Sequence, residues 1–224
     1  MKDSRIAARG LVLLGCGKMG TAMLQGWLAR GLPPASVWVL DPYPSEWLKN
    51  TGVNLNQALP DVPAIVLVAV KPQMMAEALP GLKAMGNGTT LFISVAAGVT
   101  LGYFESTLGA ETPIIRAMPN TPAAISRGIT AIVGNAHADA AAMDEADTLL
   151  NAVGDVVRLK DETLIDLPEN EHPFLSVTMI WYRSDGPAHR SNPRKNNRDH
   201  HQTQVPYAFA HLRLWQMQTQ DLGH

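Results

Sequence analysis

A run of three closely spaced glycines, at residues 15–20, constrains the fold of this chain more than any other feature. The run reads Gly-Cys-Gly-Lys-Met-Gly and lies between the apolar segment Leu11–Leu14 and a stretch of helical period, Met19–Arg30. The first glycine of such a run permits a tight turn, the second lets a ligand approach the backbone, and the third lets helix and strand pack closely. The sequence therefore predicts a buried strand, a glycine turn and a helix in direct succession.

The rest of the first two-thirds of the chain repeats this alternation of strand and helix. We predict strands at Leu11–Leu14, Val37–Leu40, Ile65–Val70, Leu91–Val95, Ile114–Met118 and Ile129–Val133. We predict helices at Met19–Arg30, Met74–Met85, Leu101–Leu108 and Ala138–Ala152, the first three closed by Gly31, Gly86 and Gly109 in a left-handed conformation. Continuous Val, Ile and Leu runs are typical of parallel strands covered on both faces. The predicted fold class is α/β, a Rossmann-type doubly wound, mostly parallel sheet followed by an irregular C-terminal tail.

Composition excludes several classes of protein. The 224 residues are 46% hydrophobic, which is enough to form the core of one domain with an additional segment. The net charge of −2 does not favour binding to a nucleic acid, so we expect no such partner. The longest apolar stretch, Val62–Val70, is about half of what spans a bilayer, so we expect no membrane partner. A single cysteine, Cys16, excludes an intrachain disulfide and fits a reducing compartment. We expect a cytoplasmic protein.

The glycine run predicts a dinucleotide site, because bare amides and the positive end of a helix face the same point. The expected phosphate-binding residues are Gly15, Cys16, Gly17, Lys18, Met19 and Gly20. Asp41 follows Gly20 by twenty-one residues, where the general pattern places an acid that accepts the ribose 2′-hydroxyl. A 2′-phosphate about 4 Å away would cost roughly 1–4 kcal/mol, so Asp41 favours NADH over NADPH. Alternatively, Asp41-Pro42 is an ordinary turn opener.

Three further segments follow predicted strands and carry a resemblance to a known family. They are Ala69-Val70-Lys71-Pro72-Gln73, Ser94-Val95-Ala96-Ala97-Gly98-Val99 and Arg116-Ala117-Met118-Pro119-Asn120-Thr121-Pro122-Ala123. Together with the glycine run, they make the chain similar to pyrroline-5-carboxylate reductases from about Leu11 to Asp166. Ligands of open α/β sheets bind outside the carboxyl ends of the strands, which is where all three segments fall.

The resemblance implies hydride transfer from NADPH or NADH to the C=N bond of 1-pyrroline-5-carboxylate, giving L-proline. It places two groups of residues around that chemistry. Those implied to contact the cofactor are Asn56, Ala69, Val70, Lys71, Pro72, Val95, Ala96 and Ala97, and those implied to border nicotinamide and substrate are Met118, Pro119, Asn120 and Thr121. No catalytic acid is assigned, and no metal site is expected. A structural role at the strand ends is the alternative for these turns.

The character of the sequence changes near Leu167. Residues 167–224 carry six of the seven histidines and only two of the 18 glycines. The family's helical domain, which forms its dimer, is matched only at residues 161–166. We therefore predict an NAD(P)-binding domain at 1–160, the start of a helical domain at 161–166 and an atypical, poorly ordered tail at 167–224. A frameshift near codon 167 is our hypothesis for the change, with a true domain replacement as the alternative.

This departure leaves three functions open. The chain is an active pyrroline-5-carboxylate reductase, a family member that binds NAD(P) without turnover, or another Rossmann reductase such as a hydroxyacid or prephenate dehydrogenase. The different residues those last families place at the Pro119–Pro122 turn argue against the third. The family homo-oligomer is expected to be compromised if the dimer helices are missing.

Overall fold

The computed structural model describes residues 5–120 and 128–166, all within the unit Met1–Asp166. The predicted tail, residues 167–224, and the predicted site residue Thr121 lie outside the described residues.

The described residues form one mixed sheet with helices on both faces. The strands are β1 Leu11–Leu14, β2 Val37–Leu40, β3 Asn54–Leu55, β4 Ile65–Val68, β5 Leu91–Ser94, β6 Ile114–Pro119, β7 Gly128–Gly134 and β8 Gly154–Arg158. The α-helices are α1 Arg5–Arg9, α2 Lys18–Ala29, α3 Glu46–Lys49, α4 Met75–Ala78, α5 Leu101–Leu108 and α6 Ala140–Leu150. The strand order is β3-β2-β1-β4-β5-β6-β7-β8, parallel throughout except for the antiparallel pair β6–β7. This confirms the predicted fold class.

The core lies on both faces of the sheet, which explains the continuous apolar runs. Leu13 of β1 packs in the cluster that contains Trp27 of α2, whose indole N–H donates to Leu149 O of α6 at 2.9 Å. Val12, the neighbour of Leu13 along the strand, packs on the opposite face in the cluster of Phe104 from α5. Each such large side chain is fully buried and contributes about 1.5–3 kcal/mol. Because neither face meets water, no position of β1 needs a polar residue.

The prediction of a continuous α-helix over Met74–Met85 is wrong. Only Met75–Ala78 is α-helical, and the following segment Leu79–Met85 is a 3-10 helix. Pro80 explains the change, because proline has no N–H to donate and crowds the preceding turn. Gly86 also differs from expectation: its φ of −74° is ordinary, whereas Gly31 has the expected positive φ of 83°. Glycine is needed at 86 for space, since a Cβ there would lie 2.0 Å from Leu108 O.

Four elements were not predicted, among them the four-residue helix Glu46–Lys49, and two strands end early. The helix Arg5–Arg9, the two-residue strand Asn54–Leu55 and the edge strand Gly154–Arg158 carry too few apolar residues to show a period. The strands that begin at Ile65 and Leu91 stop at Val68 and Ser94, so the residues after them belong to loops at the carboxyl edge. In the described part of the chain, no helix has the length and apolarity to cross a membrane.

Candidate functional site

The sheet register brings the sequence-predicted segments to one edge. Leu14 at the end of β1 pairs with Leu40 of β2 on one side and Val68 of β4 on the other. Val68 pairs with Ser94 of β5, which in turn pairs with Arg116 of β6. The loops that begin after residues 14, 40, 68 and 94 therefore start side by side, about 4.8 Å apart from strand to strand. This edge is the candidate site.

The glycine turn after β1 leaves bare backbone facing outward. Gly15 has a φ of 87°, and a Cβ on Gly20 would lie 2.5 Å from Gly15 O, so packing requires glycine at both positions. Around Gly17, by contrast, a Cβ would meet nothing within 4 Å. Gly17 also precedes α2 without any side chain to cap its first amides. These amides and the open space beside them fit the pyrophosphate of a dinucleotide.

Four hydrogen bonds fix Asp41, one of them to this turn. Its Oδ2 accepts the Cys16 N–H at 2.7 Å, and its Oδ1 accepts the Tyr43 N–H at 2.8 Å. Asn56, which has a positive φ of 51°, brackets the Asp41 backbone: its Oδ1 accepts the Asp41 N–H at 2.9 Å and its Nδ2 donates to Asp41 O at 2.8 Å. Sequence analysis expected Asn56 to contact the cofactor, and here its amide orients the acid. That contact remains a prediction.

Cys16 serves as a small buried residue in this turn. Its side chain is 7% exposed, and its Sγ lies 3.6 Å from Thr21 Oγ1. Burial raises the pKa of the Cys16 thiol, and the charge of Asp41 raises it further, while the contact with Thr21 opposes both. The thiol is therefore neutral at pH 7, which fits a filler rather than a nucleophile.

Two exposed lysines stand beside the glycine turn. Lys18 begins α2, and Lys71 follows β4, the strand next to β1. Neither forms a salt bridge with any residue in the described ranges. Met19, beside Lys18, is half-buried and packs against the core. The two ammonium groups give this edge positive charge suited to an anionic ligand.

The loops after β4 and β5 are held by short backbone contacts. The Ala69 N–H donates to Leu14 O at 2.8 Å, and the Val95 N–H donates to Val68 O at 3.0 Å. Ser94 Oγ accepts the Ala96 N–H at 3.2 Å, which turns the chain at the end of β5. The remaining predicted residues of these loops are Val70, packed against the core, Pro72, which starts a 3-10 turn, and Ala97, which is exposed.

The end of β6 carries the residues predicted to border nicotinamide and substrate. Met118 and Pro119 are half-buried and pair with Ala131 and Thr130 of β7. Asn120 Oδ1 accepts the Ile129 N–H at 2.9 Å, so this side-chain oxygen closes the β6–β7 hairpin. Sequence analysis expected Asn120 to bond the carboxamide or the substrate. The observed bond matches the structural role at the strand end that was the alternative for this turn, and the contact with the carboxamide or the substrate remains a prediction.

An ion-pair cluster that was not predicted from the sequence is centred on Arg116 of the same strand. Arg116 is 2% exposed and forms a two-bond contact with Asp166, at 2.9 and 2.7 Å. It also donates to Glu162 Oε1 at 2.7 Å, and the same oxygen accepts the Leu101 N–H at the start of α5. Burial alone would lower the pKa of Arg116, but the two carboxylates outweigh it and raise the pKa. We call Arg116, Glu162 and Asp166 the arginine cluster.

A signal for this cluster was present in the sequence. Arg116 interrupts the apolar strand Ile114–Met118, and a buried guanidinium needs carboxylate partners. Residues 161–166 contain three acidic candidates, Asp161, Glu162 and Asp166. The cluster joins the loop before α5 and the strand that leads to Met118 through carboxylates of the segment after β8, so it holds these two parts of the candidate site together.

Known sequences similar to this chain include an NADP oxidoreductase family and pyrroline-5-carboxylate reductases. A family model described as NADP oxidoreductase coenzyme F420-dependent matches residues 10–98. The pyrroline-5-carboxylate reductase of Pseudomonas aeruginosa is 34% identical over 163 residues, which are 70% of this chain and 59% of that protein. The enzyme of the same name from Escherichia coli is 38% identical over 130 residues, 55% of this chain and 48% of that protein. This chain thus spans about half to three-fifths of the length of these relatives.

Solved structures show the same fold. The pyrroline-5-carboxylate reductase of Coxiella burnetii superposes with a TM-score of 0.69 at 27% identity, covering 79% of this chain and 68% of that one. The Plasmodium falciparum pyrroline carboxylate reductase, solved with NADP bound, gives a TM-score of 0.64 at 21% identity, covering 78% of this chain and 65% of that one. The second likeness concerns the fold alone.

Proposed function

We propose, on the premise that residues 11–166 of this chain belong to the pyrroline-5-carboxylate reductase family, that it reduces 1-pyrroline-5-carboxylate to L-proline with a nicotinamide dinucleotide. The single observation that carries the proposal is the glycine turn. It presents the uncapped first amides of α2 and the open side of Gly17 at the carboxyl edge of the sheet. The segments that resemble the family lie along the same edge.

Each part of the edge has a proposed task. The amides of residues 17–20 hold the pyrophosphate, while the Cys16 amide holds Asp41, and Lys18 and Lys71 add charge. The loops 69–72 and 95–97 line the path from adenosine to nicotinamide, and residues 118–121 border nicotinamide and substrate. When bound, the nicotinamide supplies a hydride to the carbon of the C=N bond, and the ring nitrogen takes up a proton. The chain's own contribution is orientation, since holding reacting atoms about 3–3.5 Å apart is a large part of such catalysis.

We propose NADH as the preferred cofactor. Asp41 presents a carboxylate whose two oxygens are fixed by the Cys16 and Tyr43 amides, so it cannot turn away from the ribose without losing both bonds. The remaining lone pairs suit two ribose hydroxyls and repel a 2′-phosphate. Residues 42–48 contain no arginine or lysine that would offset this repulsion. A cytoplasmic location and a compromised family oligomer complete the proposal.

A coupled titration and turnover assay tests the function. The full chain is titrated with NADH and NADPH by calorimetry, and loss of nicotinamide absorbance is then followed with 1-pyrroline-5-carboxylate present. The proposal expects binding and turnover, with NADH bound more tightly than NADPH. Binding without turnover would contradict the reductase and favour the family member that only holds the dinucleotide. Failure to bind either nucleotide would contradict both.

A further inference from the structure

Tyr43 is the most exposed large apolar side chain in the part of the chain that the structure describes, with 89% of its surface accessible. A single exposed ring is ordinary on a protein surface and carries no argument alone. The position of Tyr43 in the fold does carry an argument. It lies two residues after Asp41, and its N–H is bonded to Asp41 Oδ1 at 2.8 Å, so the acid proposed for the ribose also fixes the backbone that bears this ring.

The sheet order indicates where an adenine would lie. With the pyrophosphate at the turn after β1 and the ribose at Asp41 after β2, the base continues outward, away from β4 and toward the edge strand β3. The residues there are those that follow β2 and β3. Asn56, after β3, already uses both atoms of its amide on the Asp41 backbone. Trp47 of α3 is 37% exposed, and it lies four residues farther along the chain than Tyr43.

We infer that Tyr43 is a cofactor-binding residue whose ring stacks on the adenine of the dinucleotide. This inference rests on the proposed function and adds to it the residue that recognises the base. A purine needs a flat apolar face, and stacking on an aromatic side chain suits any base because every base has a π-face. The phenol ring meets this need without moving any buried group, since the protein leaves it almost wholly accessible.

Calorimetric titration of Tyr43→Ala with NADH and with ADP-ribose tests the inference. Removing one stacked face is expected to weaken both ligands by the same factor, about 5- to 10-fold, because both carry adenine. Tyr43→Phe keeps the ring and is expected to bind both within about twofold of the unsubstituted chain. Thermal unfolding of each variant checks the fold, which should not change because Tyr43 is 89% exposed.

Tyr103→Ala is the matched control, because Tyr103 is another partly exposed tyrosine, on α5, away from the ribose acid. It should bind both ligands as the unsubstituted chain does. Equal NADH affinity of Tyr43→Ala and the unsubstituted chain would overturn the stacking while leaving the dinucleotide site in place. Failure of the unsubstituted chain to bind NADH would overturn the inference together with the proposed cofactor.

Discussion

The two ends of the candidate site are built in different ways. The phosphate end, residues 15–20 with Asp41, depends on backbone: glycines that accept close contacts, uncapped helix amides and one acid bonded to the turn. The nicotinamide end, residues 95–97 with 118–120, depends on side chains that come from distant parts of the chain. Its central contact joins Arg116 to carboxylates 46 and 50 residues away.

This difference teaches which parts of a site a local sequence can encode. A glycine acts through its own missing side chain, so a short run specifies the turn wherever the chain places it. An interior arginine acts only when its partners arrive, so its effect depends on the whole fold. Substitutions at the two ends should therefore separate: those at the phosphate end change ligand affinity or local packing, and those in the arginine cluster change stability.

Arg116→Ala should give the largest effect. It removes a buried cation from two carboxylates, and breaking such a pair typically costs about 3–5 kcal/mol. Asp166 is 42% exposed and Glu162 29%, so we expect the lower end, about 3 kcal/mol of unfolding free energy. Urea unfolding of the full chain, followed by circular dichroism, measures it.

Arg158→Ala is the control for that measurement, because Arg158 also contacts two carboxylates, Asp144 and Asp147, yet is itself 41% exposed. Exposed pairs contribute less than about 1 kcal/mol. Equal losses for the two variants would show that burial does not set the strength of the arginine cluster.

Gly20→Ala should destabilise the fold, whereas Gly17→Ala should impair only binding. A Cβ at Gly20 meets Gly15 O at 2.5 Å, and overpacking of this kind costs roughly 1–3 kcal/mol. At Gly17 the methyl group enters open space, where the pyrophosphate is proposed to lie, so we expect a loss of NADH affinity of about tenfold or more. Thermal unfolding and calorimetry on both variants separate the effects. A Gly17→Ala chain that binds NADH normally would place the phosphates elsewhere.

Asp41→Asn should shift cofactor preference. The neutral amide removes the repulsion of a 2′-phosphate, so the affinity for NADPH relative to NADH should rise about tenfold, or about 1.4 kcal/mol. Asp61→Asn is the matched control: Asp61 is exposed and precedes β4, at the opposite edge of the sheet. An unchanged ratio of the two dissociation constants in Asp41→Asn would show that this carboxylate does not face the ribose.

Cys16 should give the smallest effect, a slow reaction with a disulfide reagent. Because burial and Asp41 raise the pKa of this thiol, the folded chain holds less thiolate than the unfolded chain at any pH near neutrality. The rate should keep rising with pH beyond the ordinary cysteine pKa of about 8.5. Bound NADH should slow it further by covering the turn. Since Cys16 is the only cysteine, release of the coloured thiol reports it alone. Fast reaction at neutral pH would contradict the account.

The sequence was sufficient for the elements whose pattern is local. Buried strands such as Leu11–Leu14 can be recognised in the sequence because the side chains on both faces are apolar. Gly15, Gly17 and Gly20 identify the turn. It could not give the direction of β7, because antiparallel and parallel strands buried on both faces have the same composition. The half-exposed edge strand Gly154–Arg158 had no clear period to detect.

Roles that depend on partners were also beyond sequence reasoning. Asn56 and Asn120 were identified as site residues, yet their observed bonds, to the Asp41 backbone and to Ile129, join chain segments that only the folded sheet brings together. The arginine cluster likewise joins distant segments of the chain, here through ion pairs. What the sequence supplies is the position of the site, and what the fold supplies is the set of contacts that hold it.

Backbone amide spectra of the isotopically labelled full chain, recorded with and without NADH, test the central claim most directly. The account predicts that the amides of Gly17, Lys18 and Met19 shift most, because the pyrophosphate accepts hydrogen bonds from them, and that the amide of Asn87, in the turn before β5, stays in place. Saturating shifts confined to residues outside 15–20, or none at all, would contradict a dinucleotide site at the glycine turn.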